Sequence, residues 1–359
     1  MSDGHDRLRL FSAQVFGKLE GAMTAGMIHL GDRLGLYRAL ADADQPMTSV
    51  ELAVATDLHE RWVREWLHNQ AAARLLDHDV ADGDDRFSMS REAKAVLATP
   101  DHPAFGMGMF HRLPATMQSL ERMPESFETG LGHDYDSHGA QGAEGIERSF
   151  EPWNNANLLR TVLPAMDGVV DLLQNGARLA DVGCGAGSAV MMMAEAFPNS
   201  EFVGYDISRH ALDRARAKLA SSPLPNARFI DPRDERLPRD GSFDVITTFD
   251  CIHDMSHPQD TIDAIRLSLH DDGHWLLVDI DAADDLAGNM EANPMASLLY
   301  GVSVLSCMSS AMSEPGGAGL GTLGLPASKA EEMARAAGFT RFERLPVDHA
   351  VNAFYEIRP

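Results

Sequence analysis

A chain of 359 residues with 44% hydrophobic and 23% charged content has the make-up of a globular protein, long enough for one large domain or two ordinary ones. Its 30 Lys and Arg against 54 Asp and Glu leave a formal charge of −24, which opposes non-specific binding to phosphate backbones or anionic lipid. Cys184, Cys251 and Cys307 lack disulfide spacing, the N-terminal stretch lacks an apolar signal core and no apolar run reaches a membrane span, so reduced thiols and a cytoplasmic location are expected.

From Phe11 to Leu40 apolar residues recur at helical spacing, with breaks predicted at Leu30-Gly31-Asp32 and at Gly35-Leu36. Thr48-Ser49-Val50-Glu51 reads as a capping box, in which side chains at both ends satisfy orphan amides of the helix start. A helix presenting Trp62, Val63, Trp66 and Leu67 follows. The runs Leu75–Asp77 and Arg86–Ser88, separated by Asp82-Gly83-Asp84-Asp85, predict a hairpin. Helix, turn, helix, hairpin is the winged-helix pattern. Glu60 and Glu65 flank the arginines of the would-be recognition helix and the hairpin tip is acidic, the wrong sign for phosphate. The long apolar first helix points instead to a dimerisation module, so a homodimer is expected. Residues 1–100 are assigned to this domain, and 101–150, with its prolines and its Gly-, His- and Asp-rich stretch, to a connecting segment and mobile loop.

From residue 151 to 359 strand and helix patterns alternate, which implies a parallel sheet with helices on both faces. A helix is predicted over 158–173. Strands are predicted at Arg178–Val182, Glu201–Tyr205, Arg228–Ile230, Phe243–Phe249 and Trp275–Asp279, and two closing strands after a helix capped at Ser328.

The first of these strands runs into Asp181-Val182-Gly183-Cys184-Gly185-Ala186-Gly187, and Asp206 closes the next. A glycine-rich strand-to-helix turn followed by an acidic strand end is how open α/β sheets bind adenosine cofactors. The third glycine of a dinucleotide fingerprint is missing at Ser188, and no Gly-Lys-Ser/Thr ends the loop as a phosphate loop requires. Asp181 would sit badly against a pyrophosphate but suits the amino group of a methionine moiety. The loop is expected to hold its ligand through main-chain amides, with Asp206 on the ribose.

The stretch 181–187, Asp206 and the Phe243–Asp254 segment together resemble the class I S-adenosylmethionine-dependent methyltransferases, over residues 151–359. The winged-helix pattern before it makes the whole similar to a bacterial small-molecule group of that class. The resemblance implies a Rossmann-like, seven-stranded α/β methyltransferase sheet behind a mostly helical winged-helix domain. It implies S-adenosylmethionine as cofactor, held by Asp181, Gly183, Cys184, Gly185, Gly187, Asp206, Ile207, Phe249, Asp250 and Cys251, with Asp234 or Asp231 at the adenine because Arg233 stands where the family has an acid. Trp153, Asn157, His253 and Tyr300 are the substrate residues it implies, for a small-molecule methyl acceptor with neither nucleic acid nor membrane as partner.

Methyl transfer from a sulfonium is an in-line displacement, and an alcohol acceptor needs a base. His253, just past the fourth strand, is the candidate, with Asp250 or Asp254 to orient it. Two alternatives are weighed. In one, Asp250 and His253, with His257 or His274, hold a divalent metal that activates a 2-oxo acid for C-methylation. In the other, the chain is a transcriptional regulator with a cofactor-sensing domain. No metal is assigned in the leading reading, and His102, His111, His133 and His138 are read as scattered surface histidines.

Overall fold

The computed structural model describes residues 2–359, with side chains from His5 onward. The chain forms two compact units, one of residues up to Pro114 with Arg148–Trp153, the other of Ala115–Glu147 with Asn154–Pro359.

The first unit contains α1 (Ser2–Arg33), α2 (Leu36–Asp42), α3 (Ser49–Thr56), α4 (Glu60–Ala72), the hairpin β1 (Asp77–Ala81) and β2 (Asp84–Ser88), and α5 (Arg91–Leu97). The predicted break in α1 does not occur. A Cβ on Gly31 would lie 2.5 Å from the Trp66 ring, so this glycine lets α1 pack closely on α4, where Trp66 Nε1 donates to the Met27 carbonyl at 2.8 Å. The chain turns at Gly35, the second of the two predicted breaks, whose φ of +72° is costly for other residues. The Thr48–Glu51 capping box forms, with the Glu51 amide donating to Thr48 Oγ1 at 3.2 Å and the Thr48 amide to Glu51 Oε2 at 2.7 Å. The hairpin lies later than its apolar pattern suggested because Asp82 and Gly83 both take positive φ, the geometry of a two-residue hairpin turn. Tyr37, Leu52, Val63, Leu67, Phe87 and Met107 form the core of this unit.

Helices α6 (Met107–Gln118) and α8 (Gly139–Asn157) cross between the units, with α7 (Met123–Thr129) and a 3₁₀ turn at Tyr135–His138 between them. The region read as a short helical connection and a mobile loop is helical over most of its length, the part read as a mobile loop included. The single helix predicted over 158–173 is a π turn at Leu158–Val162, α9 (Leu163–Ala165) and α10 (Val169–Asn175), broken where Gly168 takes φ +73°.

The sheet of the second unit then alternates with helices: β3 (Arg178–Val182), α11 (Ser188–Ala196), β4 (Glu201–Tyr205), α12 (Arg209–Ala220), β5 (Ala227–Ile230), β6 (Phe243–Phe249), α13 (Pro258–Ser268) and β7 (Leu269–Ile280). After β7 come α14 (Leu286–Ala292), α15 (Ala296–Leu305), α16 (Cys307–Ala311), α17 (Ala327–Ala336), β8 (Arg341–Arg344) and β9 (Asn352–Arg358). The spatial order is β5-β4-β3-β6-β7-β9-β8, with β3 to β7 parallel and β9 antiparallel to both of its neighbours, β7 and β8. The strand order reverses between β3 and β6, and in open α/β sheets ligands bind outside the carboxyl ends of the strands at such a point. The capping box predicted at Ser328 does not form. Pro326 caps α17, and the Ser328 hydroxyl donates to Asp284 instead.

Trp275 opens the central run of β7 and is fully buried, with its Nε1 donating to Thr248 Oγ1 at 3.0 Å and its ring 5.4 Å from that of Phe339. It is a core residue. Trp275→Ala is expected to lower unfolding free energy by about 3–5 kcal/mol in urea titrations. A loss below about 1 kcal/mol would contradict this packing.

Candidate active site

At the carboxyl end of β3 the chain enters the glycine-rich turn, and its three glycines have different duties. A Cβ on Gly183 would fall 2.6 Å from Cys251 Sγ, and one on Gly187 would fall 2.3 Å from the Phe229 ring. These two are required by packing against β5 and the segment after β6. Only Gly185, at φ +54°, faces open space, with no atom within 4 Å of its Cβ position.

Four of the five amides of the turn are already used. Gly183 and Cys184 both donate to the Tyr205 carbonyl, at 2.8 and 3.0 Å, Gly187 donates to the Cys184 carbonyl at 3.0 Å, and Gly185 donates to Asp206 Oδ2 at 2.7 Å. The expected grip through these main-chain amides is corrected accordingly. The groups the sheet presents at its carboxyl ends are carboxylates.

Asp181 is buried and accepts from Thr247 Oγ1 at 2.7 Å, and burial pushes its carboxyl up to about 7. Asp206 accepts from the Gly185 and Ser208 amides, each at 2.7 Å, and burial pushes it up to about 6. Its oxygens each keep a lone pair for a diol. Ile207 beside it is exposed. After β5, Arg233 clamps Asp231 through Nε at 2.8 Å and Nη2 at 2.6 Å, and Nη2 also donates to the Ile207 carbonyl at 2.7 Å. Asp231 is thereby fixed beside the end of β4, whereas Asp234 is exposed. Of the two acids weighed for the adenine, Asp231 is the one that the arginine clamp fixes. Cys184 and Cys251 are unpaired, with their thiols held well up by burial, and Cys251 Sγ lies 3.1 Å from the Val182 carbonyl.

Phe249 ends β6, and Asp250 follows in the left-handed region at φ +48°, held by Asn352, which donates to its Oδ1. His253 lies three residues on and is 2% exposed. Its Nδ1 donates to Asp279 Oδ1 at 2.6 Å, because a carboxylate can only accept, and its Nε2 lies 3.2 Å from Asp254 Oδ1. Burial opposes charging the ring, but Asp279 and Asp254 outweigh it and hold His253 well above the ordinary histidine range. The imidazolium in turn holds Asp254 down against its own burial. Burial, then the Asp279 charge, push Asp250 up. The acid bonded to His253 Nδ1 is therefore Asp279, while of the two acids expected to orient the ring Asp254 lies against Nε2 and Asp250 makes no bond to it. Sequence reading missed Asp279, although an acid closing the fifth strand next to the fourth was visible as a signal.

Ligand-type atoms of Asp250, His253 and Asp279 lie within 4.8 Å of one another, as do those of His253, Asp254 and Cys307. His257 and His274 join neither group: His257 pairs at the surface with Glu314, and His274 is buried against Glu356 nearer the start of β7. Asn157 ends α8, and the Tyr300 hydroxyl on α15 accepts from Asn289 at 3.4 Å. Trp153 belongs to the first unit and these others to the second.

The chain carries a methyltransferase domain. That family matches residues 173–342, and an Rv2258c-like winged HTH domain matches 22–99. The uncharacterized methyltransferase YcgJ of Bacillus subtilis is 30% identical over 109 residues, 30% of this chain and 42% of that one. The chain spans less than half the length of the curated relatives it matches. Among solved structures, mitomycin 7-O-methyltransferase MmcR superposes with a TM-score of 0.70 at 21% identity, over 98% of this chain and 99% of that one. Human N-acetylserotonin methyltransferase, solved with S-adenosylmethionine, gives 0.70 at 16% identity over 97% of both. The likeness to these structures is one of fold, and the methyltransferase domain matched over residues 173–342 is the part that holds Asp181, Asp206, His253 and Asp279. No described helix is long and apolar enough to cross a membrane.

The raised Asp181 has a consequence for stability. Well below pH 4 its carboxyl is protonated in native and unfolded chains alike. Between pH 4 and about 7 the native state keeps the proton that the unfolded state has lost, and that contribution to stability disappears as pH rises. Asp181→Asn is expected to be more stable than wild type at pH 8 by on the order of 2 kcal/mol, with the gain vanishing towards pH 4. Urea titrations of both proteins across that range check this, and a gain independent of pH would contradict it.

Proposed function

We propose that this protein transfers the methyl group of S-adenosylmethionine to a hydroxyl oxygen of a small-molecule acceptor, with His253 as general base and Asp279 as its orienting partner. The observation that carries this reading is the 2.6 Å bond from His253 Nδ1 to Asp279, made between the carboxyl ends of β6 and β7. A base whose far nitrogen is held by a carboxylate has its other nitrogen aimed by the protein. The O-methyltransferase activity named for MmcR is in keeping with oxygen as the acceptor atom.

The bound donor supplies an electrophilic methyl on a sulfonium. Asp181 suits its ammonium, Asp206 its ribose and the clamped Asp231 its adenine, while Gly185 leaves room for it and Phe249, Asp250 and Cys251 border it. Positive charge from the donor disfavours a second cation nearby, so it shifts His253 towards its neutral, proton-accepting form. As the acceptor oxygen attacks the methyl carbon, the carbon–sulfur pair goes to sulfur and the acceptor proton goes to His253. The charge lost at sulfur reappears on an imidazolium between Asp279 and Asp254. The metal-assisted alternative would need a His253 lone pair where Nδ1 carries a hydrogen directed at Asp279.

His253→Ala is expected to reduce turnover about 10²- to 10⁴-fold without weakening donor binding, measured as S-adenosylhomocysteine release with a panel of phenols and alcohols. In wild type, turnover should rise with pH through an acid limb above the ordinary histidine value. Asp279→Asn removes the charge that raises His253, so the limb should move to lower pH while the maximum falls. Unchanged turnover in His253→Ala would remove the base from the mechanism.

The winged-helix unit is the second half of the proposal. Leu8, Phe11, Val15, Leu19 and Met23 form a stripe along α1 in which each is more than half exposed. A stripe of this kind fits a homodimer packed through α1. Sedimentation should give a dimer for wild type and a monomer for a Phe11→Asp, Val15→Asp double variant. A monomeric wild type would overturn the dimer.

A further inference from the structure

The segment Leu131–Glu147 is docked at both ends onto the methyltransferase domain, and the two docking points lie on either side of the sheet's switch point. At its start, Gly132 donates to the Met312 carbonyl at 2.9 Å and the His133 amide donates to Ser309 Oγ at 2.9 Å, both at the α16 end of the long insertion after β7. His138 Nε2 adds a hydrogen bond to Ser306 Oγ at 3.1 Å. Further along, Asp136 accepts from the Arg209 amide at 2.9 Å and from Arg209 Nε at 2.8 Å, at the first turn of α12 after β4. Its end is fixed by Glu147, whose carboxylate is nearly buried and accepts from Arg214 Nη2 at 2.6 Å, from Ser188 Oγ at 3.0 Å and from Lys218.

One anchor thus follows β7 and the others follow β3 and β4. With the strands ordered β4-β3-β6-β7, a segment joining these anchors passes the carboxyl ends of β3 and β6, where Asp181, Gly185 and Asp250 sit. Its approach to α16 is close: a Cβ on Gly132 would lie 1.9 Å from the Ser309 carbonyl oxygen. Gly130, just before the segment, and Gly139, within it at the start of α8, take φ of +76° and +65°, with nothing within 4 Å of their Cβ positions. The contacts through Arg209 are solvent-exposed and open at little cost, whereas the Glu147 end, nearly buried against Arg214 and Lys218, stays anchored.

We propose that residues 131–147 are a strap that closes over the bound methyl donor, with Gly132 and Asp136 as its positioning residues, so that donor exchange requires release of the strap. This rests on the donor-binding reading above. Closure would keep water from the sulfonium while the acceptor is aligned, as closing segments do in other transferases.

The test is hydrogen exchange of the full chain with and without S-adenosylhomocysteine, paired with the dissociation rate of that ligand measured by stopped-flow displacement. The proposal expects ligand to slow exchange in 131–147. It expects Gly132→Ala, which cannot seat on α16, to speed dissociation roughly tenfold, and Arg209→Ala, a change at an exposed side chain that leaves the fold intact, to speed it about two- to fivefold. Binding with unchanged exchange in 131–147, or dissociation rates within about 1.5-fold of wild type in both variants, would overturn the strap and leave the donor site standing. A wild-type chain that binds no S-adenosylhomocysteine would overturn both.

Discussion

Four carboxylates, Asp181, Asp206, Asp250 and Asp279, are gathered at the carboxyl ends of β3, β4, β6 and β7, and the rest of the site is organised by their burial. Among the described residues, His253 is the one side-chain cation within 4 Å of any of them. Asp250 Oδ2 and Asp279 Oδ2 are buried without a hydrogen-bond partner. Burying acceptors in this way costs stability unless a donor or a cation arrives. The sheet tolerates the cost because its core is well formed, with Phe243, Ile246, Leu277 and Trp275 almost wholly buried directly behind these ends. A ligand carrying both an ammonium and a sulfonium is the kind of partner such a surplus of negative charge awaits. A surface-wide charge of −24 would not by itself have indicated this, because most of it is solvated.

The same electrostatics gives His253 its character. An imidazole surrounded by carboxylates is a stable cation, which is the product of proton abstraction rather than its starting point. Donor charge resolves the conflict, since two cations would then compete for the same carboxylates. The site is thus a holder for one positive charge that changes position, from sulfonium to imidazolium, as the methyl moves. Preorganised charges of this kind need no rearrangement during the reaction, which is where their catalytic value lies.

Much of this was legible in the amino-acid sequence because it is local. The strand–turn–helix pattern around 178–196, the acid at Asp206, the Thr48–Glu51 cap and the alternation behind the seven-stranded sheet each depend on residues a few positions apart. What was not legible depends on register or on close approach between distant elements. Asp279 meets His253 only because β6 and β7 are parallel neighbours, with Phe249 opposite Val278. Gly31, Gly183 and Gly187 look like breakers or ligand-facing positions in one dimension, yet each is there because a ring or a thiol from a distant segment occupies its Cβ position. The residues between 130 and 147 look like a loop because Gly, His and Asp dominate them. Their order comes from Ser306, Ser309, Arg209 and Arg214, all far along the chain.

The central claim, that buried carboxylates are poised for an incoming cation, has one direct measurement. Isothermal titration of the protein with S-adenosylmethionine and, separately, with S-adenosylhomocysteine, at pH 7 in two buffers of different ionisation enthalpy, gives affinity and the number of protons exchanged. The account predicts that both bind, and that the sulfonium ligand drives off more protons than its uncharged-sulfur product as the carboxyls and His253 lose them. Equal proton counts for the two ligands, or no heat from either, would contradict it.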